Sequence, residues 1–306
     1  MRISLFLSLI FALSCAAQDT YQIAYNVLED AQSGDYEVYL MDMDGSNQRN
    51  LSKHPGVDWV YYAFENKIYL LSDRDSCNRC FYLYEMEVNS GKLRKMTDFQ
   101  LADSWFSARK QGSEFVVKPA GKDFSGFYII NLKGEVIDRI SIDLAYINDP
   151  AFSPDGKQIV FRGATKASPR ELGFTDELYR LEIGSGKVTK LTSHPEADEK
   201  AQWAGYLSAA PRWPRDGSIS FGSKRNGNYD IYEIDPDGAG LKALTKKENN
   251  QVFHSWNDQG FLVFEASMNN RDGYELYLRD PKGTTLRLTQ DEIEQYAPVF
   301  VKKQKP

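Results

Sequence analysis

Pro150-Ala-Phe152-Ser-Pro-Asp155-Gly156 and Pro211-Arg-Trp213-Pro-Arg-Asp216-Gly217 are two copies of one motif. Weaker copies occur at His254-Ser-Trp256-Asn-Asp-Gln-Gly260 and Ser104-Trp-Phe106. Trp59-Val-Tyr61 and Pro298-Val-Phe300 keep the aromatic but lack the turn. The anchors Tyr61, Phe106, Phe152, Trp213, Trp256 and Phe300 are 45, 46, 61, 43 and 44 residues apart. A period of this size means one supersecondary unit repeated along the chain.

Each unit continues in the same way. A Gly-containing turn leads into a short apolar run such as Gln158-Ile-Val-Phe161 or Phe261-Leu-Val-Phe264. After a polar loop come an acid and a second, alternating run: Glu37-Val-Tyr39, Glu177-Leu-Tyr179, Asp230-Ile-Tyr232, Glu275-Leu-Tyr277. A tight turn follows, and the unit closes on Leu51-Ser52, Met96-Thr97, Leu191-Thr192, Leu244-Thr245 or Leu288-Thr289, with Ile140-Ser141 as the odd member. Four runs of β-branched and aromatic residues between turn signals predict a four-stranded antiparallel sheet. After the first residues no long helical period occurs. Six sheets that are apolar on both faces can cover one another only when stacked radially, so the expected fold is an all-β, six-bladed β-propeller spanning 21–301, with 302–306 as a tail. The chain enters at Tyr21–Tyr25, which matches the second strand of a unit, and ends at Pro298–Phe300, which matches the first. The C-terminal strand is therefore expected to complete the first blade and remove its open edge.

The pattern P-x-[WF]-S-P-D-G, I-x-F, R-x-G, [DE]-[IL]-Y, D-x-D-G and L-T resembles the propeller repeat of TolB and its relatives. The match is strong over Pro150–Thr192 and Pro211–Thr245 and poorest from Ser104. TolB carries a further N-terminal α/β domain, for which this sequence is expected to have no counterpart. The resemblance implies a stand-alone propeller with a role in the cell envelope, contacting an envelope protein or a lipoprotein.

The chain has 18 Tyr and 17 Phe and a formal charge of −6, and its Lys and Arg form no basic run. This suits packed sheets and argues against a nucleic-acid surface. Met1-Arg2 followed by the apolar Ile3–Leu13 reads as an export signal, too short to span a bilayer. Residues 1–17 are the expected signal peptide, giving a soluble periplasmic or secreted product. The alternative is removal of 1–14 with lipid on Cys15, an outer-membrane lipoprotein held through that anchor. Cys77-Asn-Arg-Cys80 forms an even pair, expected as a disulfide in an oxidising compartment. A redox or zinc role is the weaker alternative, since no further ligands lie nearby in sequence.

Asp42-x-Asp44-Gly45 and Asp235-x-Asp237-Gly238 resemble fragments of calcium loops, but tight turns between strands want the same residues. No cofactor is assigned, and calcium held between blades remains the alternative. Arg225 and Arg271 precede Asp230 and Glu275 across a hairpin; they serve either as ion pairs within a blade or as a ring of cations at one channel mouth. His54 and His194 recur at one place in the repeat. His254 holds the place of Pro150 and Pro211, and no nucleophile elbow accompanies any of them. The long interval between Phe152 and Trp213 comes from two loops that leave the same side of the blade. They carry Lys166, Arg170, Glu171, Phe174, Glu199, Lys200, Trp203 and Tyr206. Long loops on a rigid scaffold are where binding resides. Phe174 and Trp203 serve either as exposed anchors or as pins holding the insertion to the ring. The expected binding residues are thus Lys166, Arg170, Lys200, Trp203, Tyr206, Arg225, Arg271 and His254. The favoured function is an exported, monomeric, non-catalytic binding module. The alternatives are a hydrolase or lyase acting on carbohydrate or a lactone at the channel mouth, and a structural or sugar-binding accessory protein.

Overall fold

Strand pairing was followed in a computed structural model of the protein. It describes residues 21–168, 170–171, 173–194, 208–214, 217–225, 229–245, 249–268, 273–290 and 293–304. The repeated runs form six antiparallel sheets, and no helix occurs among the described residues. Blade 1 contains Tyr21–Asp30, Asp35–Asp42 and Arg49–Asn50, and takes its innermost strand, Gln295–Lys302, from the other end of the chain. Blade 2 is Asp58–Phe64, Lys67–Ser72, Tyr82–Glu87 and Leu93–Lys95; blade 3 is Ser107–Arg109, Glu114–Val117, Gly126–Asn131 and Val136–Ser141. Blade 4 is Tyr146–Phe152, Gln158–Ala164, Glu177–Glu182 and Val188–Lys190. Blade 5 has Ile219–Ser223, Asp230–Ile234 and Lys242–Ala243, with bridges from Ser208 to Ser223 and Arg212 to Ser220 in the innermost position. Blade 6 is Asn249–Trp256, Leu262–Met268, Glu275–Arg279 and Thr285–Arg287. The fold is a six-bladed β-propeller, and the chain ends close it with Ile23 opposite Phe300 and Ala24 opposite Val299.

The aromatic anchors keep one register in blades 4 and 6, where Phe152 faces Ile159 and Trp256 faces Leu262. In blades 2 and 3 the equivalent positions, opposite Ile68 and Phe115, are Ala63 and Ala108, so Tyr61 and Phe106 fall two residues early. Trp59-Val-Tyr61 imitates Pro298-Val-Phe300 out of phase, because blade 2 lacks the longer turn that marks the register. In blade 3 the innermost segment is longer: Leu101–Ala108 lies opposite Phe115–Pro119, where in blade 4 Ile147–Phe152 lies opposite Ile159–Gly163.

The recurring Leu-Ser/Thr that closes each unit is a hydrogen-bond clip. Thr192 Oγ1 donates to Glu177 (2.6 Å) and accepts from the Leu178 amide (2.9 Å); Thr289 does the same with Glu275 (2.7 Å) and Leu276 (2.9 Å). Ser52 bridges Glu37 and the Val38 amide, and Thr97 and Thr245 accept from the Leu83 and Ile231 amides. Acid and hydroxyl satisfy each other where the outer strand stops, so neither is buried unpaired.

Blades pack through apolar clusters that cross each seam. One joins Phe127 and Ile129 of blade 3 to Phe161 and Leu181 of blade 4; another joins Tyr25 and Met41 of blade 1 to Val263 and Leu276 of blade 6. The turn between third and outer strands then docks on the closing Leu-Thr of the preceding blade. A Cβ on Gly134 would lie 1.8 Å from the Met96 carbonyl oxygen, and one on Gly45 would lie 2.3 Å from that of Leu288. Both glycines also have positive φ, +80° and +86°. Gly91 has φ +68° in the same kind of turn, with nothing within 4 Å of an added Cβ. Gly91→Ala should therefore cost only about 1 kcal/mol from backbone strain. Gly134→Ala should cost clearly more, about 2–4 kcal/mol, because blades 2 and 3 must separate. Urea unfolding of the two variants checks this, and equal losses would remove the docking role of the turn.

Candidate functional site

The innermost strands surround a channel, and antiparallel order sorts the connections between its two ends. Short turns from the first to the second strand open on one end, the turn face. The longer loops that follow the second and outer strands open on the other, the loop face. A stack of side chains divides the channel at its waist. Tyr61 lies on Trp105 with centroids 4.4 Å apart and planes at 25°, Phe253 meets the same indole at 5.3 Å, and the Arg212 guanidinium carbon lies 3.7 Å from its centre.

On the loop face the cavity has a volume of about 380 Å³. Tyr36, Trp59, Tyr61, Trp105, Phe253 and Tyr296 supply aromatic walls, and Asp103, Asn148, Asp149 and Arg162 supply polar groups. Arg79, on the loop closed by the Cys77–Cys80 bond, holds its guanidinium 4.9 Å from the centre of the Trp59 ring at the mouth. The cavity on the turn face measures about 520 Å³ and includes Arg212, Phe106, Phe152, Trp213 and Trp256 in its wall.

The polar groups at the waist come from one repeat position, the residue after the apolar partner of the third-strand Tyr. Asn26, Lys118, Arg162 and Glu265 hold this position in four blades, and Leu71 and Gly222 hold it in the other two. Asn26 accepts from the Val60 amide (2.8 Å) and donates to the Val60 carbonyl (3.3 Å) of the next blade. Arg162 binds Asp149 (2.6 Å), Asp176 (2.8 Å) and the Ser208 carbonyl (3.1 Å). Asp149 also accepts from the Trp105 amide (2.9 Å), so this buried group ties blades 3, 4 and 5 together. Lys118 donates to Asn148 (3.3 Å), and burial holds its ammonium below the usual lysine range. Glu265 accepts from the Ala297 amide (2.8 Å) on the closing strand, and burial pushes its carboxyl up to about 8. Asp103 opens to the cavity but is ringed by protein. That desolvation raises it to about 6, against the Tyr61 hydroxyl donated to it (3.0 Å). These groups were absent from the sequence reading. Their signal was a single polar residue at the end of an apolar run: Tyr25-Asn26, Phe161-Arg162, Phe264-Glu265.

Several residues singled out from sequence lie elsewhere. Lys166, Arg170, Arg225 and His254 line neither cavity. Arg225 donates to the Ser193 carbonyl of the preceding blade (3.4 Å). His254 is 1% exposed, so it is a wall residue and not a contact for ligand. Its Nε2 meets the Ser220 hydroxyl (2.8 Å), which also accepts from the Trp256 indole (2.9 Å). Burial, then the Arg212 charge, pull His254 down to about 3, so it is neutral. Phe174 is buried edge-on against Tyr146 (5.2 Å) and pins its loop to the ring. His194 bridges Glu177 (2.8 Å) and Ser223 (3.0 Å) across the seam of blades 4 and 5. Asp44 and Asp237 close their own turns on the Ser46 and Ala239 amides. Residues 1–20, with Cys15, and Glu199, Lys200, Trp203, Tyr206 and Arg271 lie outside the described residues.

No protein-family model and no curated protein sequence matches this chain. Solved structures do. TolB from Acinetobacter baumannii superposes with a TM-score of 0.70 at 19% identity, over 92% of this chain and 66% of that one. A TolB-type protein from Agrobacterium tumefaciens gives 0.63 at 15% identity, over 94% and 99%. A puromycin-hydrolysing peptidase from Mycobacterium tuberculosis gives 0.52 at 14% identity, over 89% of this chain but 46% of that one. At these identities the likeness is one of fold. The chain spans about two thirds of the A. baumannii protein.

Glu265 yields a pH prediction. Its folded value of about 8 lies above the ordinary 4.5, so the folded state binds the extra proton between those values. Its contribution is fully present below about pH 4.5 and is lost as pH rises toward 8. Glu265→Gln keeps a neutral acceptor for Ala297. The variant should gain about 2–3 kcal/mol at pH 8 and little at pH 5, read from urea unfolding at the two pH values. An equal change at both would place the proton elsewhere.

Proposed function

We propose that this protein is an exported, non-catalytic binding module of the cell envelope that receives a protein partner on its loop face. The loop-face cavity carries this reading: aromatic rings form its walls, and most of its charges are already committed to one another. Rigid aromatic surface around a concave site, with few uncommitted polar groups, is the composition of an anchor pocket. The structural likeness to TolB supports an envelope protein or lipoprotein as partner and a location outside the cytoplasm. The bonded Cys77–Cys80 pair accords with an oxidising compartment. On this reading residues 1–17 direct export, Cys15 is the alternative lipid anchor, and the protein acts as a monomer. Lys166, Arg170, Lys200, Trp203, Tyr206 and Arg271, from the long loops, are the candidate rim around the pocket.

A second reading has one specific observation in its favour. Asp103, at about 6, sits near the value a general acid or base needs, as a hydrolase or lyase acting on carbohydrate or lactone would require. Against it, Asp149 and Asp176 are both held by Arg162 and cannot serve as its partner. Ser220 and His254 form a pair, but the serine is 1% exposed and closed to substrate.

The test is capture of an envelope protein from extract by the immobilised full chain. Trp59→Ala with Phe253→Ala should weaken capture at least tenfold, as loss of two anchor rings implies, while the melting temperature moves by only a few degrees. Undiminished capture by the double variant sinks the assignment. Sugar cleavage that disappears in Asp103→Asn would instead establish the enzyme.

A further inference from the structure

The turn-face cavity holds Arg212, a cation that pairs with no carboxylate among the described residues. Arg212 donates Nε to the His254 carbonyl (2.9 Å) and presses its guanidinium on Trp105. It forms no ion pair among the described residues, and its Nη2 is buried without an acceptor. Nη1 is neither bonded nor sealed off, and Arg212 lines the vestibule. The other cations there are committed. Arg109 binds Glu114 (2.8 Å) and the Gly156 carbonyl (2.6 Å), Lys110 binds Glu114 (2.6 Å), and Lys302 faces Glu65 (3.6 Å). Burial lowers Arg212 to about 9, which still leaves it charged at neutral pH. The carboxylate that bears on it is Asp149, already held by Arg162.

A partly buried, uncompensated charge is costly unless something pairs with it. Stacking on indole recovers a part but does not neutralise it. The walls around it are aromatic: Phe106, Phe152, Trp213, Trp256 and Phe300. We propose that the turn-face vestibule binds a small monocarboxylate with an apolar or ring body, its carboxylate on Arg212 and its body among these rings. One guanidinium without a carboxylate partner matches one negative charge, and Asp258, elsewhere on the lining, accepts the Tyr21 hydroxyl (2.7 Å). A phosphate dianion would bring a second charge with no partner, so the carboxylate is the class that fits. This site lies on the opposite side of the waist from the loop-face pocket, with Tyr61 common to both walls.

Benzoate tests the chemistry, with benzamide as its neutral shape-mate and inorganic phosphate as the dianion. Calorimetric titration of the full chain should show one saturable benzoate site, with benzamide and phosphate each at least tenfold weaker. Arg212→Met should weaken benzoate about tenfold or more, with the circular dichroism of the ring retained. Ala108→Trp narrows the vestibule from another wall without touching the Arg212 stack, and it should weaken benzoate too, so the test survives if Arg212→Met does not fold. Absence of saturation up to about 10 mM benzoate overturns the proposal, since a ligand of this size that fits should bind in the millimolar range or tighter. Unchanged affinity in the folded variants, or phosphate equal to benzoate, also overturns it. Partner capture on the loop face is unaffected by any of these results.

Discussion

A sheet that is apolar on both faces must be covered twice, and in this chain only a closed circle covers every sheet. Val160 and Leu178 of blade 4 pack toward Ile219 of blade 5, while Ile159 and Leu181 of the same sheet pack toward Phe127 of blade 3. No blade is self-sufficient, because both of its apolar faces are covered by its neighbours. An open ring would therefore expose two large apolar faces and two unpaired strand edges at once. The pairing of Gln295–Lys302 with Tyr21–Asp30 removes all four liabilities together. Residues about 275 apart in sequence thus form the contact on which the local contacts rely.

Apolar packing alone leaves neighbouring wedges free to slide, and the polar positions remove that freedom. Asn26, Arg162 and Glu265 occupy one place in the repeat and reach the innermost strand of the following blade, each with different chemistry. Buried polar groups stabilise only when their partners are placed well, so each is a directional lock that a slipped wedge would break. Gly222 is the informative exception. A Cβ there would come within 2.6 Å of the Val252 carbonyl oxygen, so blades 5 and 6 approach through backbone where the others use a side chain.

Blade number, strand order and closure were legible in the sequence because they follow from period and from which strand type stands at each end. The phase of blades 2 and 3 was not. Without the Ser-Pro-Asp-Gly turn, Trp59-Val-Tyr61 and Trp105-Phe106 offer several aromatics that could take the anchor position, and pairing selects Ala63 and Ala108. The polar residues at the waist were equally hidden, since one charged residue at the end of an apolar run reads as a strand terminus. Arg162 directly follows the apolar run Gln158-Ile-Val-Phe161 and reads there as its polar end. Charge in exposed loops, by contrast, drew attention to Lys166 and Arg170, which line neither cavity.

The waist determines what each end of the channel can do. Tyr61, Trp105 and Arg212 fill it, so a ligand entering one vestibule meets a different set of groups from one entering the other. On the loop side Arg162 engages both Asp149 and Asp176, which leaves aromatic surface as the dominant offer and Asp103 as an acid facing open space with a shifted proton affinity. On the turn side Glu114 and Glu65 pair with Arg109, Lys110 and Lys302, Asp258 accepts the Tyr21 hydroxyl, and Arg212 pairs with no carboxylate among the described residues. The same repeated architecture thus presents an apolar receptacle at one end and a cationic one at the other. The difference arises because Arg212 stands where the corresponding strands carry Ala151, Ser255 and Val299. A single substitution in one repeat is enough to make the two ends of a pseudo-symmetric ring chemically distinct.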